Sequence, residues 1–442
     1  MYIRQSKLHH LKEYKYSGVD HSLVSKYVLK PFWTQFIKLF PTNMAPNLIT
    51  LTGFFFVIVN LATLLWYNPT LDQNCPPWVY ASWAIGLFLY QSFDAVDGSQ
   101  ARRTKQSGPL GELFDHGVDA CNTTLEVVIF AGAVNMGCTW QTVVTLFASL
   151  CSFYLTTWEE YHTHTLYLGP VSGPVEGVLA VIAVYAITTF TGGYYWHGSM
   201  LASLGVPRMA WIPNVVYEMS FTTTYLTYGA LILGFSIYQS SMNVVKARRA
   251  AGLRVRPALL GLAPFFSLWV LIPTWLYVRP DILHNHLIPF MFFVGASFAY
   301  QVGLIITAHL TKSAFPYFNV LIIPIFLGTM DSVGPWLIEN YGVGWPSVLG
   351  DEYVVPYVFL CLGCAYGVYG SFVFDVVMNI CEYLDIWCLT IKHKKTDEPN
   401  ATIVAEAFSK VFDKLNEWSG SDSQVAVANG ANGANGVDKK NS

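Results

Sequence analysis

Apolar runs of about 20 residues recur along this 442-residue chain, and its charges gather in the connections between them. A run of that length crosses the hydrocarbon core of a bilayer as a helix rising 1.5 Å per residue. Where no water reaches, each backbone N–H and C=O needs an internal partner, which a helix supplies. Ten runs are visible, near residues 48–66, 79–98, 111–134, 141–158, 175–191, 220–241, 258–277, 286–309, 316–335 and 353–379. The fifth is followed by the polar and aromatic stretch Gly192 to Pro213, and the ninth is broken by Gly328 and Asp331. Only 12% of residues are charged against 53% hydrophobic, whereas soluble domains carry about 25% charged residues. The expected fold class is an all-α polytopic membrane protein.

Ten spans place both termini on one side, and all Lys and Arg residues except Arg208 and Arg279 then face that side. Basic connections mark the cytosolic face, so both termini are expected in the cytosol. The first 45 residues are polar and mixed and do not read as a cleavable signal peptide. Three segments follow: residues 1–46 as a cytosolic N-terminal segment, 47–387 as the transmembrane domain, and 388–442 as a cytosolic tail. In the first, Val24, Val28, Phe32, Phe36 and Phe40 recur every four residues with Lys26, Lys30 and Lys38 between them. That is an amphipathic helix lying on the membrane surface or packed on its own membrane domain, with Pro31 starting or kinking a turn. The tail ends in ANGANGANG and KKNS, a composition that reads as disorder. Cys361 and Cys364 have CxxC spacing but read as buried small hydrophobes, while Cys75 and Cys138 would share the lumenal side and could pair.

Ionisable residues inside membrane spans are costly and mark function. The densest group is DAVDGSQARRTKQSGPLGELFDHGVD, residues 94–119. At 100° per residue, Asp94, Asp97, Gly98 and Ala101 occupy one arc of the second helix, about 100° wide. Gly111, Asp115 and Asp119 recur every four residues on one face of the third. A short basic turn joins the two helices, so the acidic faces can converge. Four converging carboxylates need shared protons or cations. An all-oxygen set suits Mg²⁺, Mn²⁺ or Ca²⁺, and Mg²⁺ is usual where a phosphate completes the shell. Gly98 and Gly111 leave the helix faces bare for a ligand, and Arg102, with Arg103 and Lys105 nearby, offers a fork for phosphate oxygens. The plainer alternative is an ion-pair network between Arg102 and the aspartates without metal.

The pattern Asp94-x2-Asp97-Gly98-x2-Ala101-Arg102-x8-Gly111-x3-Asp115-x3-Asp119 resembles the signature of the CDP-alcohol phosphatidyltransferases at every fixed position. MAPNLITLTG at 44–53, GPLGELFDHGVD, TWEEYHTH at 157–164 and GPVEG at 173–177 look like the eukaryotic choline- and ethanolaminephosphotransferases, especially the fungal ones. The likeness runs from about residue 14 to residue 395. It implies that Asp94, Asp97, Asp115 and Asp119 hold two metal ions, Mg²⁺ with Mn²⁺ as an alternative, against the diphosphate of a CDP-linked substrate. Gly98, Ala101, Arg102 and Gly111 would line the nucleotide pocket, with Asn47 at its mouth; a plain helix cap is the alternative for Asn47. The implied reaction moves phosphocholine or phosphoethanolamine from CDP-choline or CDP-ethanolamine to diacylglycerol and releases CMP. A homodimer among membrane lipids is implied, in the endoplasmic reticulum or Golgi with the active site facing the cytosol, and no nucleic-acid partner.

The acceptor hydroxyl needs a base. His116 titrates near neutrality and adjoins Asp115, so it is expected to take the proton directly or through Asp119. The alternative makes Asp119 the base and His116 a donor of a supporting hydrogen bond. Glu159, Glu160, His162 and His164 lack zinc-site geometry and read as packing or headgroup contacts. Glu176, with Trp158 and Tyr161 offering aromatic faces, could meet a quaternary ammonium, though capping of the helix serves as well. Asp375, Glu382 and Asp385 are expected to face inward. A UbiA-type prenyltransferase lacks the Gly-x2-Ala-Arg element and the Asp115/Asp119 pair. A transporter leaves the Arg102 and double-glycine register unexplained, and phosphatidylinositol or phosphatidylglycerophosphate synthases are shorter, with about six spans.

Overall fold

The computed structural model describes residues 2–14, 17–20, 24–168, 174–209 and 211–393. Most of the expected 388–442 segment, including its low-complexity end, lies outside these residues. Each of the ten apolar runs forms a long helix: α1 (Pro46–Tyr67), α2 (Pro77–Arg103), α3 (Pro109–Ala133), α4 (Trp140–Thr163), α5 (Pro174–Thr191), α6 (Phe221–Ala250), α7 (Ala263–Val278), α8 (Leu287–Leu310), α9 (Ile322–Tyr341) and α10 (Val354–Leu384). Proline stands in the first turn of α1, α2 and α3, where a missing N–H costs nothing and the fixed φ suits a helix. By length and apolar composition alone, four helical segments can cross a membrane: Pro46–Tyr67, Arg256–Val278, Leu287–Leu310 and Asp351–Leu384. The chain is an integral, all-helical membrane protein. Among the described residues one pair of strands forms, β1 (Gly18–Asp20) with β2 (Leu166–Leu168), a short parallel clip.

Helix α8 is apolar around its whole circumference and buried along nearly all of its length, with α3, α4 and α10 packed around it. It forms the wall against which these three helices pack. Helix α1 packs against both α2 and α3, and α5 covers α2. Helices α2 and α3 touch each other only sparsely. The two acid-bearing helices are thus held side by side through α1.

The ninth apolar run is not broken. α9 continues through Gly328 and Asp331, because Gly328 makes room for the ring of Trp275, and Asp331 accepts bonds from Ser347 Oγ and the Val348 N–H, each at 2.6 Å. The N-terminal segment joins the membrane helices rather than standing apart: Ile3, Leu8 and Leu11 are buried in the same core. The stripe from Val24 to Phe40 is helical in three joined pieces, Ser25–Leu29, Lys30–Phe36 and Ile37–Leu39, with Pro31 in the first turn of the second. Its later half packs on α2, Phe36 and Phe40 lying 5.6 and 5.2 Å from Phe93, while Val28 stays exposed. At the opposite end of the bundle the two isolated basic residues are paired. Arg279 meets Asp281 at 3.2 Å and Asp351 at 2.5 Å, and Arg208 meets Glu218 at 2.5 Å.

Several expectations fail here. Cys75 and Cys138 are free thiols, the first buried and hydrogen-bonded through its backbone N–H to Tyr80. Cys361 is buried as expected, but Cys364 is exposed on the outer face of α10. Glu382 and Asp385 do not face inward: both are exposed, and Asp385 lies past the end of α10 in a left-handed conformation. Lys392 and His393 bond to it and hold its carboxyl below the usual range. Asp375 is half-buried and accepts the Tyr2 N–H at 2.8 Å, tying the N-terminus to α10.

Candidate active site

The expected acids come together, though not as four equivalent groups. Helical spacing sets Asp94 and Asp97 on one arc near the end of α2, and Asp115 and Asp119 on one face near the start of α3. Oxygens of Asp94, Asp97 and Asp115 all lie within 4.8 Å of one another. Asp94 and Asp115 are within hydrogen-bonding reach, and two carboxylates that close need a shared proton or a cation between them. Asp97 is anchored by the Thr50 hydroxyl of α1. Asp119, one turn beyond Asp115, is bonded by the Tyr90 hydroxyl of α2 and stands outside the tight trio.

The trio suits a hard divalent cation. One oxygen of Asp94 and one of Asp115 are buried with no hydrogen-bond partner among the described residues. An orphaned buried carboxylate oxygen is expensive, and a cation removes the cost. Arg102 does not neutralise the acids: it is exposed, its guanidinium donates to Ser99 Oγ at 3.0 Å, and no described ion pair joins it to an aspartate.

The helix surfaces at the two glycines are bare. A Cβ built on Gly98 would touch only Arg102 Nη1 at 3.6 Å, and one on Gly111 would find Asn47 Oδ1 at 4.0 Å and nothing nearer. The helix faces at Gly98, next to Asp97, and at Gly111, one turn before Asp115, are thus open, with Ala101 half-buried on the same arc of α2 as Gly98. Asn47 is not a helix cap, since Ala45 holds that position; its amide donates to the Cys388 carbonyl at 3.1 Å. That bond ties the segment after α10 to the start of α1. Arg103 is not available for phosphate, because its guanidinium donates to the carbonyls of Ile37 and Phe40 at 3.0 and 2.7 Å.

His116 faces another neighbour than expected. Its Nδ1 lies 4.0 Å from Glu160 Oε2 at the end of α4. Glu160 in turn belongs to a second cluster, in which ligand atoms of Glu112, Glu160 and His309 lie within 4.8 Å of one another. These residues come from α3, α4 and α8. Sequence reading placed Glu160 among packing or headgroup contacts and gave Glu112 and His309 no role. The available signals were the cost of an acid in a span and the four-residue step from Glu112 to His116. Tyr90 and Thr50, which hold Asp119 and Asp97, were missed as well, and neither carries a distinguishing pattern.

Trp158 and Tyr161 do not offer Glu176 the aromatic faces of the quaternary-ammonium alternative. Trp158 is fully buried, its indole N–H donating to the Ala258 carbonyl at 2.9 Å, and Tyr161 donates to the Ser313 carbonyl at 2.7 Å. Glu176 sits in the first turn of α5, the position of a capping acid. Glu159 accepts from Asn243 on α6 at 2.8 Å, and His162 stacks on Phe315 at 5.8 Å. His164 closes α4 in a left-handed conformation. These four neighbours divide between packing and the second cluster.

Comparison with known proteins adds a family. The family model described as CDP-alcohol phosphatidyltransferase matches residues 43–211, which include α1 to α5 and all four aspartates. The chain is 39% identical to choline/ethanolaminephosphotransferase 1 of Saccharomyces cerevisiae, over 89% of this chain and 99% of that protein. It is 40% identical to cholinephosphotransferase 1 of the same yeast, again over 89% and 99%. Identity to human ethanolaminephosphotransferase 1 is 30%, over 90% of this chain and 96% of the human protein.

Proposed function

The chain belongs to the CDP-alcohol phosphatidyltransferase family, and on that premise we propose that it transfers phosphocholine or phosphoethanolamine from the CDP ester to diacylglycerol. The products are phosphatidylcholine or phosphatidylethanolamine and CMP. The observation that carries this reading is the carboxylate trio Asp94, Asp97 and Asp115, two of whose buried oxygens lack a partner, beside a space bordered by bare glycines.

The family depends generally on divalent metal, and we assign two Mg²⁺ ions, replaceable by Mn²⁺, to Asp94, Asp97, Asp115 and Asp119. When bound, such ions neutralise the diphosphate and offset the charge that gathers on the departing CMP. The protein's own groups do the rest. Gly98 and Gly111 let the donor approach the helix backbones, Ala101 keeps that wall low, and Asn47 and Arg102 meet the nucleotide end of the donor. His116 accepts the proton of the diacylglycerol hydroxyl as its oxygen bonds to phosphorus and the bond to CMP breaks. Glu160, 4.0 Å from His116 Nδ1, offers a negative partner to the imidazolium so formed. Asp119 is committed to Tyr90, which favours His116 as the base and leaves Asp119 a metal ligand.

The same reading assigns ten spans with both termini and the active site in the cytosol, a cytosolic first segment at 1–46, a catalytic domain at 47–387 and a tail at 388–442. It further assigns a homodimer in endoplasmic reticulum or Golgi membranes. Purified protein in detergent, given diacylglycerol, Mg²⁺ and either CDP-choline or CDP-ethanolamine, is expected to release CMP only when the acceptor is present. No acceptor-dependent release with either donor would refute the proposal.

A further inference from the structure

We propose that Glu112, Glu160 and His309 form a socket for the ammonium head of the CDP-alcohol donor, one that favours a primary over a trimethylated ammonium. This rests on the phosphotransferase reading above and adds a site to it. Three helices contribute one residue each: α3 near its start, α4 and α8 near their ends. The ligand atoms lie within 4.8 Å of one another. Glu112 and Glu160 are only 8% and 5% exposed. Glu112 Oε2 and His309 Nδ1 are buried and find no hydrogen-bond partner among the described residues.

A buried carboxylate with a free oxygen calls for a cation or a donor. Among the described residues no Lys or Arg pairs with either glutamate, and the ionisable side chain at 4.0 Å from Glu160 is His116, which carries a charge only when protonated. In the free protein a shared proton meets this need; in the complex the donor brings a positive charge of its own, on a two-carbon arm from its reacting phosphate. Glu112 precedes Asp115 by three residues, about 4.5 Å along the helix axis, a distance such an arm can span. With its phosphate at the aspartate trio, the donor would carry its ammonium head toward the socket.

The shape of the socket discriminates between heads. A primary ammonium has three N–H donors in tetrahedral directions, and charge-assisted bonds of about 2.8 Å set three acceptors about 4.6 Å apart. The socket offers three acceptors that lie within 4.8 Å of one another, two carboxylate oxygens and the imidazole nitrogen, one for each N–H. A trimethylammonium has no N–H to give, and its methyl groups hold the oxygens at a greater distance. It keeps the charge attraction and loses the hydrogen bonds.

The test uses full-length protein in detergent with both donors, diacylglycerol and Mg²⁺, comparing wild type with Glu112→Gln and His309→Leu. For CDP-ethanolamine, kcat/KM should fall about 10- to 150-fold in Glu112→Gln, the range for losing a hydrogen bond to a charged group. For CDP-choline the fall should be smaller, so that the ratio between the donors drops at least about fivefold. CMP has no alcohol head, and its inhibition constant should stay within about twofold of wild type. His309→Leu should move the ratio the same way, and it decides the matter if Glu112→Gln does not fold. An unchanged ratio in a folded variant would overturn the socket while leaving the reaction intact. Equal loss with both donors, restored by added Zn²⁺ or Mn²⁺, would show a metal site instead and overturn it too. Wild-type protein that releases CMP from neither donor would refute the parent reading, an outcome distinct from both.

Discussion

Replacing Gly98 by alanine should separate folding from catalysis. Gly98 lies inside α2, beside Asp97 and one turn after Asp94. An added Cβ would meet only Arg102 Nη1 at 3.6 Å, ordinary contact with the end of a flexible side chain. The free protein therefore has no packing cost to bear, and it gains about 1 kcal/mol because alanine is the better helix former. Spread over a chain of this length, at about 2.1 cal/mol/K per residue, that gain raises the unfolding midpoint by about 1 °C. The bound state is different. If the donor approaches the backbone at Gly98, the methyl group occupies its space, and overpacking of that kind costs about 1–3 kcal/mol. The kcat/KM for either CDP-alcohol should then fall about 5- to 150-fold. Thermal unfolding of the purified variant, run beside acceptor-dependent CMP release, reads both quantities from one preparation. Unchanged kcat/KM would refute the argument that the glycine is kept for ligand approach. A midpoint several degrees lower would refute the claim that the space is open. Gly111→Ala should lose activity likewise, with a smaller gain in stability because Gly111 lies in the first turn of α3.

Asp115→Asn removes one of three mutually close carboxylates and should cost more than the roughly 10- to 100-fold typical of groups one step removed from a metal. Thorough chelation should abolish activity in the wild type and added Mg²⁺ should restore it; survival after chelation would sink the assignment. His116→Ala should bind CDP-choline normally and turn over about 10²- to 10⁴-fold more slowly, whereas full turnover would discard it as the base. Gly328→Ala sets a Cβ against the Trp275 ring and 2.9 Å from Tyr357 Cε1. It should destabilise by about 1–3 kcal/mol, seen as a lower midpoint, and an unchanged midpoint would mean the rings yield freely. Lys312 and His10 hold the exposed Glu13 carboxyl down, from 4.5 to about 2. A depressed folded value means that this stabilisation is complete above the unfolded value and fades as pH falls through the folded one. The midpoint difference between wild type and Lys312→Ala should therefore be small and flat above about pH 5, shrinking towards pH 2; growth on acidification would contradict it.

How much was legible depends on the range of the interaction involved. The apolar runs became helices because a segment that must satisfy its own backbone has one way to do so. The convergence of Asp94, Asp97 and Asp115 followed from the angular step of a helix and a short turn, both local properties. The partners of those residues did not follow. That Asp119 bonds Tyr90, that Arg103 anchors the N-terminal segment and that Trp158 offers no free face depend on how each helix is rotated about its axis.

Rotation is set by packing against neighbours far away in sequence, here above all against α8, and spacing within one segment carries no information about it. Glu112 and His309 show the difference most clearly. They are 197 positions apart by number, on helices α3 and α8, and become neighbours only when both helices pack together with α4. The sequence by itself determined the medium, the helices and the acidic arcs, because these rest on composition and periodicity. Only the tertiary structure decided which buried polar atoms find partners and which are left open to a ligand, because that depends on contacts between helices.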